Sequence, residues 1–452
     1  MLFGLGRWQR AALHGGSVAL VVLLIGNGCA GRRRAVRPDV ARPNFLLIVV
    51  DALRADALGC YRKAPPGATP VLDSLAARGL RFERAYSPAA WTKPAIASLL
   101  TGLYPRQHRC LHGLLEDAGH GTVDGLDPRL VTLAQRLRAA GYATAMVQTN
   151  PHVHARFGFG RGFDRSVDLS YLDDHRVVRA AGELLEELPR PFFIYLHFLA
   201  PHVPYKPHRD GPFPPLAGRY ADRDGFTDAD LARCRSAPAP ELLAELRQLY
   251  RGEVFYADQQ IGNVLAALHG LGLSETTVVV ATADHGEEFG EHGGLEHGHS
   301  LYPEIVRVPL ILAGPSIPRG RVSLRVASLI DILPTVLDLA DLSPEPNLPG
   351  RSLSFWFAPQ RERRLLAEAV LWGPPQEALL EAPYEWIRGP REVLASLNGA
   401  EIPARGAGQI AQRLDAGLDR MLTTLRPRLR AAPQQRIDPE LIEHLHSLGY
   451  LR

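Results

Sequence analysis

The 452-residue sequence holds four cysteines, Cys29, Cys60, Cys110 and Cys234. So sparse a set excludes a disulfide-built scaffold and leaves the core to apolar packing. No stretch approaches the about 20 consecutive apolar residues that an ordinary membrane-spanning helix requires. The candidate nearest the N-terminus, Ser17–Ile25 (SVALVVLLI), is nine residues long. Charge of one sign is also scarce, the formal net charge being +3. Six arginines (Arg7, Arg10, Arg32, Arg33, Arg34 and Arg37) precede the first acid, Asp39, and without them the remainder carries −3. That balance excludes a basic surface of the kind that binds nucleic acid. There are no internal repeats, which excludes solenoid and propeller architectures.

What is present begins with an address. Arg7 and Arg10, the short apolar run, and Gly26-Asn27-Gly28-Cys29-Ala30 follow the order of a secretory signal. Cys29 after Gly28 resembles a bacterial lipoprotein cleavage box, with Gly26 where a leucine is usual. Residues 1–29 therefore read as a signal with Cys29 as the lipidation site, and residues 30–42 as a tether. The expectation is an exported chain at the bacterial cell envelope, touching membrane only through its N-terminal anchor. A plain signal peptide or an uncleaved anchor remains the alternative. Cys60, Cys110 and Cys234 are expected as unpaired core residues, with a Cys60–Cys110 bridge as the other possibility.

From Asn44 the pattern is strand, then helix, repeated to about residue 345. Asn44–Val50 (NFLLIVV), Tyr142–Val147, Phe192–Phe198 (FFIYLHF), Thr277–Thr282 and Val308–Ala313 read as buried strands. Helices are expected at 69–78, 95–100, 130–140, 177–188, 241–271 and 328–340. This alternation predicts an α/β fold with a doubly wound, mostly parallel sheet flanked by helices over residues 43–345. Residues 346–452 read as a small α+β C-terminal subdomain, and 206–240 as an insertion loop.

Chemistry-bearing residues recur just past the strand ends, where open α/β sheets bind ligands. Asp51 follows the first strand, Asn150 and His152 the second, and His202 the third. Asp284 and His285 follow Thr277–Thr282 and open a Gly- and His-rich run that includes His292, His297 and His299. A carboxylate and an imidazole side by side suit one divalent cation with mixed oxygen and nitrogen ligands. Thr92 precedes the helix at 95–100, where backbone N–H groups favour anions, although a plain N-cap role fits it as well.

Five ordered motifs carry a resemblance. They are VVDALRAD (Val49–Asp56), WTKPAIASLLTGLYP (Trp91–Pro105), HFLAPHVPY (His197–Tyr205), ADHGEEFGEHG (Ala283–Gly293) and HGHSLYPEIVRVPLI (His297–Ile311). The chain resembles the sulfatase family of the alkaline-phosphatase-like superfamily from about Pro43 to Ser343. The resemblance implies a metal-dependent hydrolase of sulfate or phosphate esters, acting on an anionic glycan, lipid or small molecule. It implies Thr92 as nucleophile and Asp51, Thr92, Asp284 and His285 as ligands of one calcium, manganese or zinc ion. His202 and His297 would touch the anion or the leaving group, and Asn150 the substrate.

The chain departs from the family's usual pattern at several points. Well-known sulfatases carry Cys or Ser in a frame ending in Arg, which is oxidised to formylglycine. Here the frame is Thr92-Lys93-Pro94-Ala95-Ile96, so no formylglycine is expected. Ala52 stands where a second acid is usual, and Gln148-Thr149-Asn150-Pro151 follows Gly141-Tyr142-Ala143-Thr144 in place of a Gly-Lys-x-His element. A Thr nucleophile is the pattern of envelope phosphoethanolamine and phosphoglycerol transferases, which carry several membrane spans. Two alternatives to a hydrolase therefore stay open: such a transferase, or an inactive relative that binds anionic glycans.

Overall fold

The computed structural model describes residues 42–61, 67–117, 120–169, 174–208, 211–213, 219–220, 225–227, 230–231, 238–354, 356, 363–397, 399–403, 407–437 and 442. The expected signal and tether up to residue 41, the Cys29 lipidation site and Cys234 fall outside them. Among the described residues no helix is long and apolar enough to cross a membrane. Cys60 and Cys110 are free thiols, Cys110 fully buried.

The centre of the fold is a strand with no polar side chain between Phe45 and Val50. Asn44–Val50 is buried at every position, because it pairs on both edges and is covered on both faces. Its neighbours are Phe192–Phe198 and Thr277–Ala283, both parallel to it and both buried throughout. Beyond Phe192–Phe198 lie Ala143–Gln148 and then Arg165–Asp168, also parallel. On the other side the sheet turns mixed. Leu310–Ala313 runs antiparallel to Thr277–Ala283 and to Leu80–Tyr86, and Arg321–Ser328 pairs parallel with Leu80–Tyr86. Among the described residues the sheet has nine strands, and the chain has the α/β sheet flanked by helices that its pattern predicts.

Register is what positions the site. Val50 pairs with Ala283 on one side and with Phe198 on the other. Asp51 and Asp284 therefore leave adjacent parallel strands at the same level, although 233 positions apart in sequence. His197 pairs with Val49 one step earlier, on the opposite neighbour. The helix that follows Leu80–Tyr86 is longer than the sequence suggests, Thr92–Thr101, ending in the left-handed Gly102. Every one of its ten residues is buried.

The C-terminal part adds a four-stranded antiparallel sheet, Arg364–Glu368, Glu377–Glu381, Tyr384–Arg388 and Val393–Ser396, backed by the helix Gly408–Thr424. It is bolted to the main sheet by a buried ion pair. The Arg363 guanidinium lies 2.5 and 2.6 Å from the two oxygens of Asp331, which also accept the N–H groups of Ser328 and Arg351. The side chains are 4% and 0% exposed. Removing one partner strands a buried charge, so Arg363→Ala should lower stability by about 3–5 kcal/mol. Urea denaturation checks this, and a loss below about 1 kcal/mol, as for a surface pair, would contradict it.

Candidate active site

Five loops converge beyond the carboxyl ends of the central strands. Asp51 ends the middle strand. Its Oδ2 accepts a hydrogen bond from Asn150 Nδ2 at 2.7 Å, and His197 Nε2 lies 3.3 Å away. Asn150 is aimed by its own turn, since its Oδ1 accepts the N–H of His152. The same Asn150 amide lies 3.3 Å from Thr92 Oγ1. Thr92 Oγ1 is also 3.3 Å from His285 Nε2. Asp51, Thr92, Asn150, Asp284 and His285 are each completely buried. Thr92 is the first residue of its helix; the residue ahead of it, Trp91, holds the cap position without a capping hydrogen bond.

Asp284 is gripped at one oxygen and bare at the other. Oδ1 accepts from the N–H of Ala52 at 3.2 Å and of His285 at 2.8 Å. Ala52 reaches it from a left-handed backbone (φ +53) of the kind found where function overrides local preference. Oδ2 of Asp284 and Oδ1 of Asp51 have no hydrogen-bond partner. Both lie 3.4 Å from His285 Nε2. His285 Nδ1 donates to the carbonyl of Gly286 at 2.9 Å, which leaves a lone pair on Nε2. With His285 neutral, three buried acceptors thus face one another with no donor among them, an arrangement that favours a positive charge between them, a cation or a proton on His285. Asp51, His197 and Asp284 also bring one ligating atom each within 4.8 Å of one another. The residues present fit a divalent ion with oxygen and imidazole ligands.

His197 plays a different part from His285. Its Nδ1 lies 2.9 Å from Tyr195 Oη. With the Tyr195 hydroxyl donating there, Nε2–H points at Asp51 Oδ2 and holds that carboxylate in place. The opposite tautomer would set a lone pair against a carboxylate oxygen. Tyr195 and His197 were not singled out by sequence, yet two polar residues at alternate positions of FFIYLHF share one face of that strand.

A second layer of histidines lies against the first. The rings of His285 and His297 are 4.1 Å apart, and those of His297 and His202 5.0 Å. His297 Nδ1 donates to Glu287 Oε1 at 3.0 Å, and Tyr205 Oη donates to Glu287 Oε2 at 2.9 Å. Glu287 is a positioning residue that sequence reasoning missed, though it sits in the Asp284-His285-Gly286-Glu287 run. His202 Nδ1 donates to the Val203 carbonyl at 2.6 Å. His292 and His299 pair instead with Glu304 and Glu288. Gly286 is required at its position, because a Cβ there would stand 2.1 Å from the carbonyl oxygen of Glu304.

The electrostatics follow from burial and neighbours. Burial opposes ionisation of Asp51, but the imidazoles of His202, His197 and His285 hold its carboxyl below the usual range. Burial and the charge of Asp51 push Asp284 up. Burial works against protonation of His285, yet Asp284 and Asp51 raise its pKa. Burial pushes Glu287 up to about 7. His297 is held well below its ordinary value by burial and by His285 and His202.

The family model for sulfatases matches residues 43–342. The sulfatase YidJ of Escherichia coli K12 is 28% identical over 365 residues, covering 69% of this chain and 70% of that one. Human arylsulfatase A is 30% identical over 379 residues, covering 70% and 68%. Among solved structures, BT4656 in complex with its substrate D-glucosamine-2-N,6-O-disulfate matches with a TM-score of 0.67 at 20% identity, over 85% of this chain and 96% of that one. The phosphonate monoester hydrolase of Agrobacterium radiobacter matches with a TM-score of 0.64 at 21% identity, over 85% and 95%. At such identities the two structures speak for the fold alone, an alkaline-phosphatase-like sheet. The extent of the family match carries the assignment: the chain belongs to the sulfatase family, a family of metal-dependent enzymes, and is a hydrolase of sulfuric or phosphoric esters.

Proposed function

We propose that this protein hydrolyses a sulfate or phosphate monoester with Thr92 as an unmodified nucleophile. The observation that carries the reading is the position of Thr92 Oγ1. It lies 3.3 Å from both His285 Nε2 and Asn150 Nδ2, at the first turn of a buried helix. Asp51, Asp284 and His285, with Thr92 beside them, would hold one divalent ion, and the imidazole favours manganese or zinc over calcium. The chemistry such an ion supplies when bound is charge withdrawal from the ester oxygens and acidification of a nearby hydroxyl.

The chain's own groups do the rest. The first N–H groups of the Thr92 helix have no partner within the helix and favour the anionic ester. Asn150 donates to both Asp51 and Thr92 and so fixes the attacking oxygen relative to the carboxylate. Thr92 gives up its hydroxyl proton to solvent as Oγ1 attacks sulfur or phosphorus; the bond to the alcohol oxygen breaks, leaving a covalent threonine ester and releasing the alcohol. His202 or His297 gives the leaving oxygen its proton; the negative charge of the bound ester beside His297 offsets the burial that otherwise keeps it neutral. Water then cleaves the threonine ester. Similarity to the delta 4,5-hexuronate-2-O-sulfatase of Bacteroides thetaiotaomicron, 25% identical over 389 residues, supports a sulfated sugar as the substrate class.

Matched aryl sulfate, phosphate monoester and phosphate diester substrates, tested on protein stripped by chelator and reloaded with manganese, zinc or calcium, examine this directly. Turnover of a monoester should vanish on stripping and return with manganese or zinc. Undiminished turnover by the stripped protein would contradict it.

A further inference from the structure

The C-terminal sheet reaches into the site through one segment, residues 368–376. Glu368 N–H donates to the carbonyl of Pro88 at 3.0 Å. Leu371 and Trp372 N–H groups both donate to the carbonyl of Gly298, at 2.7 and 2.8 Å. Gln376 Nε2 donates to the carbonyl of His299 at 2.8 Å. Gly298 N–H in turn donates to the carbonyl of Ala90 at 3.0 Å. The segment is thus fastened to the loop ahead of Thr92 and to Gly298 and His299, the two residues that follow His297.

The packing is as close as the hydrogen bonding. A Cβ on Gly298, where φ is +78°, would stand 3.2 Å from Leu371 Cβ and 3.5 Å from the Trp372 ring. Glycine there lets an indole lie against the backbone next to His297. The Leu371 side chain lies on the wall made by His152 and Trp91. A Cβ on Gly113 would meet Leu371 Cδ1 at 3.4 Å, His152 at 3.7 Å and Trp91 at 3.8 Å. Trp91 is the residue before Thr92, and the T-shaped contact of its ring with His152 braces that wall. Trp372 is half-buried and is followed by the exposed run Gly373-Pro374-Pro375.

We infer that Leu371 and Trp372 form a subsite for the alcohol half of the ester, with Trp372 presenting an apolar face to a sugar ring. This rests on the ester-hydrolase reading above and extends it to the part of the substrate that is not the anion. A pyranose needs an apolar surface for its C–H face and polar partners for its hydroxyls. The indole supplies the first, and the half-buried Gln376, whose Nε2 already donates to the carbonyl of His299, has its amide oxygen to offer for the second. The anion itself is bound around Thr92, so the two halves of the substrate are recognised by different parts of the chain.

Calorimetry on metal-loaded Thr92→Ala protein separates the two halves without turnover. The probes are glucose 6-sulfate and glucose 6-phosphate, set against inorganic sulfate and phosphate. Adding Trp372→Ala should weaken the sugar esters about five- to tenfold and change the inorganic anions less than about twofold. Trp372→Phe should restore most of the loss. Equal weakening of both probe classes, or no weakening of either sugar ester, would overturn the subsite. Inorganic anions that fail to bind the Thr92→Ala parent would instead overturn the ester-hydrolase reading, and the subsite with it.

Discussion

Asp284→Asn protein should bind manganese or zinc more than about 100-fold more weakly than the wild type and lose nearly all ester turnover. The substitution keeps the oxygen that accepts from Ala52 and His285 and removes only the negative charge. It therefore leaves the backbone geometry alone while breaking the set of three facing acceptors. Its effect on the metal-free fold should run the other way. Asp51 and Asp284 are both fully buried, and the charge of Asp51 discourages ionisation of Asp284. Removing one charge relieves that repulsion, so the metal-free variant should melt higher than metal-free wild type. Adding metal should raise the melting temperature of wild type and leave the variant unmoved. A variant that still gains stability from metal would show that Asp284 is not a ligand.

Thr92→Ala is expected to lose at least about two orders of magnitude in kcat, whereas Thr92→Ser should keep measurable turnover. A hydroxyl is the one group both active forms share. Stability should hardly register the change. Thr92 occupies the first helical position, and Trp91 the cap, so the about 1 kcal/mol cost of losing a capping side chain does not apply. A simple structural role predicts the reverse pattern, with near-normal turnover in the Ala variant and a small loss in melting temperature. Kinetics and melting curves on the three proteins distinguish the two.

Much of this was legible because the centre of the sheet is written in apolar residues. NFLLIVV and FFIYLHF match the observed strands residue for residue, and TVVVATA extends one residue past the expected end. The polar residues that end them, Asp51 and Asp284, stood out for the same reason. The periphery was not legible. Leu80–Tyr86 (LRFERAY) and Arg321–Ser328 (RVSLRVAS) interleave charged and apolar residues; the second has exposed positions, and the first is partly open only at Glu83 and Arg84. Nothing in their composition separates them from loops. The Leu114–Asp117 and His120–Asp124 hairpin, which pairs with Gln434–Ile437, joins segments more than 300 residues apart in sequence and carries no local signal.

The site divides along a similar line. Residues that bear chemistry at strand ends could be named singly, and the fold brings Asp51, Thr92, Asn150, Asp284 and His285 within hydrogen-bond or ion-pair reach of one another. Residues that act through a neighbour could not. Glu287 aims His297 only because the loop folds back on itself, which sequence order does not reveal, whereas Tyr195 sets the proton on His197 through the strand's own alternation, a signal that reads first as a buried strand. The role of Ala52 is of the same kind. Its side chain offers nothing, while its left-handed backbone supplies the N–H that orients Asp284.

The covalent step is the centre of the account, and mass spectrometry of protein quenched during turnover of a monoester tests it most directly. The account predicts a fraction of chains heavier by one sulfo or phosphoryl group, with peptide mapping assigning the group to Thr92 and no such species in Thr92→Ala. An unmodified Thr92 in protein quenched at full turnover, or the group on another residue, would contradict it.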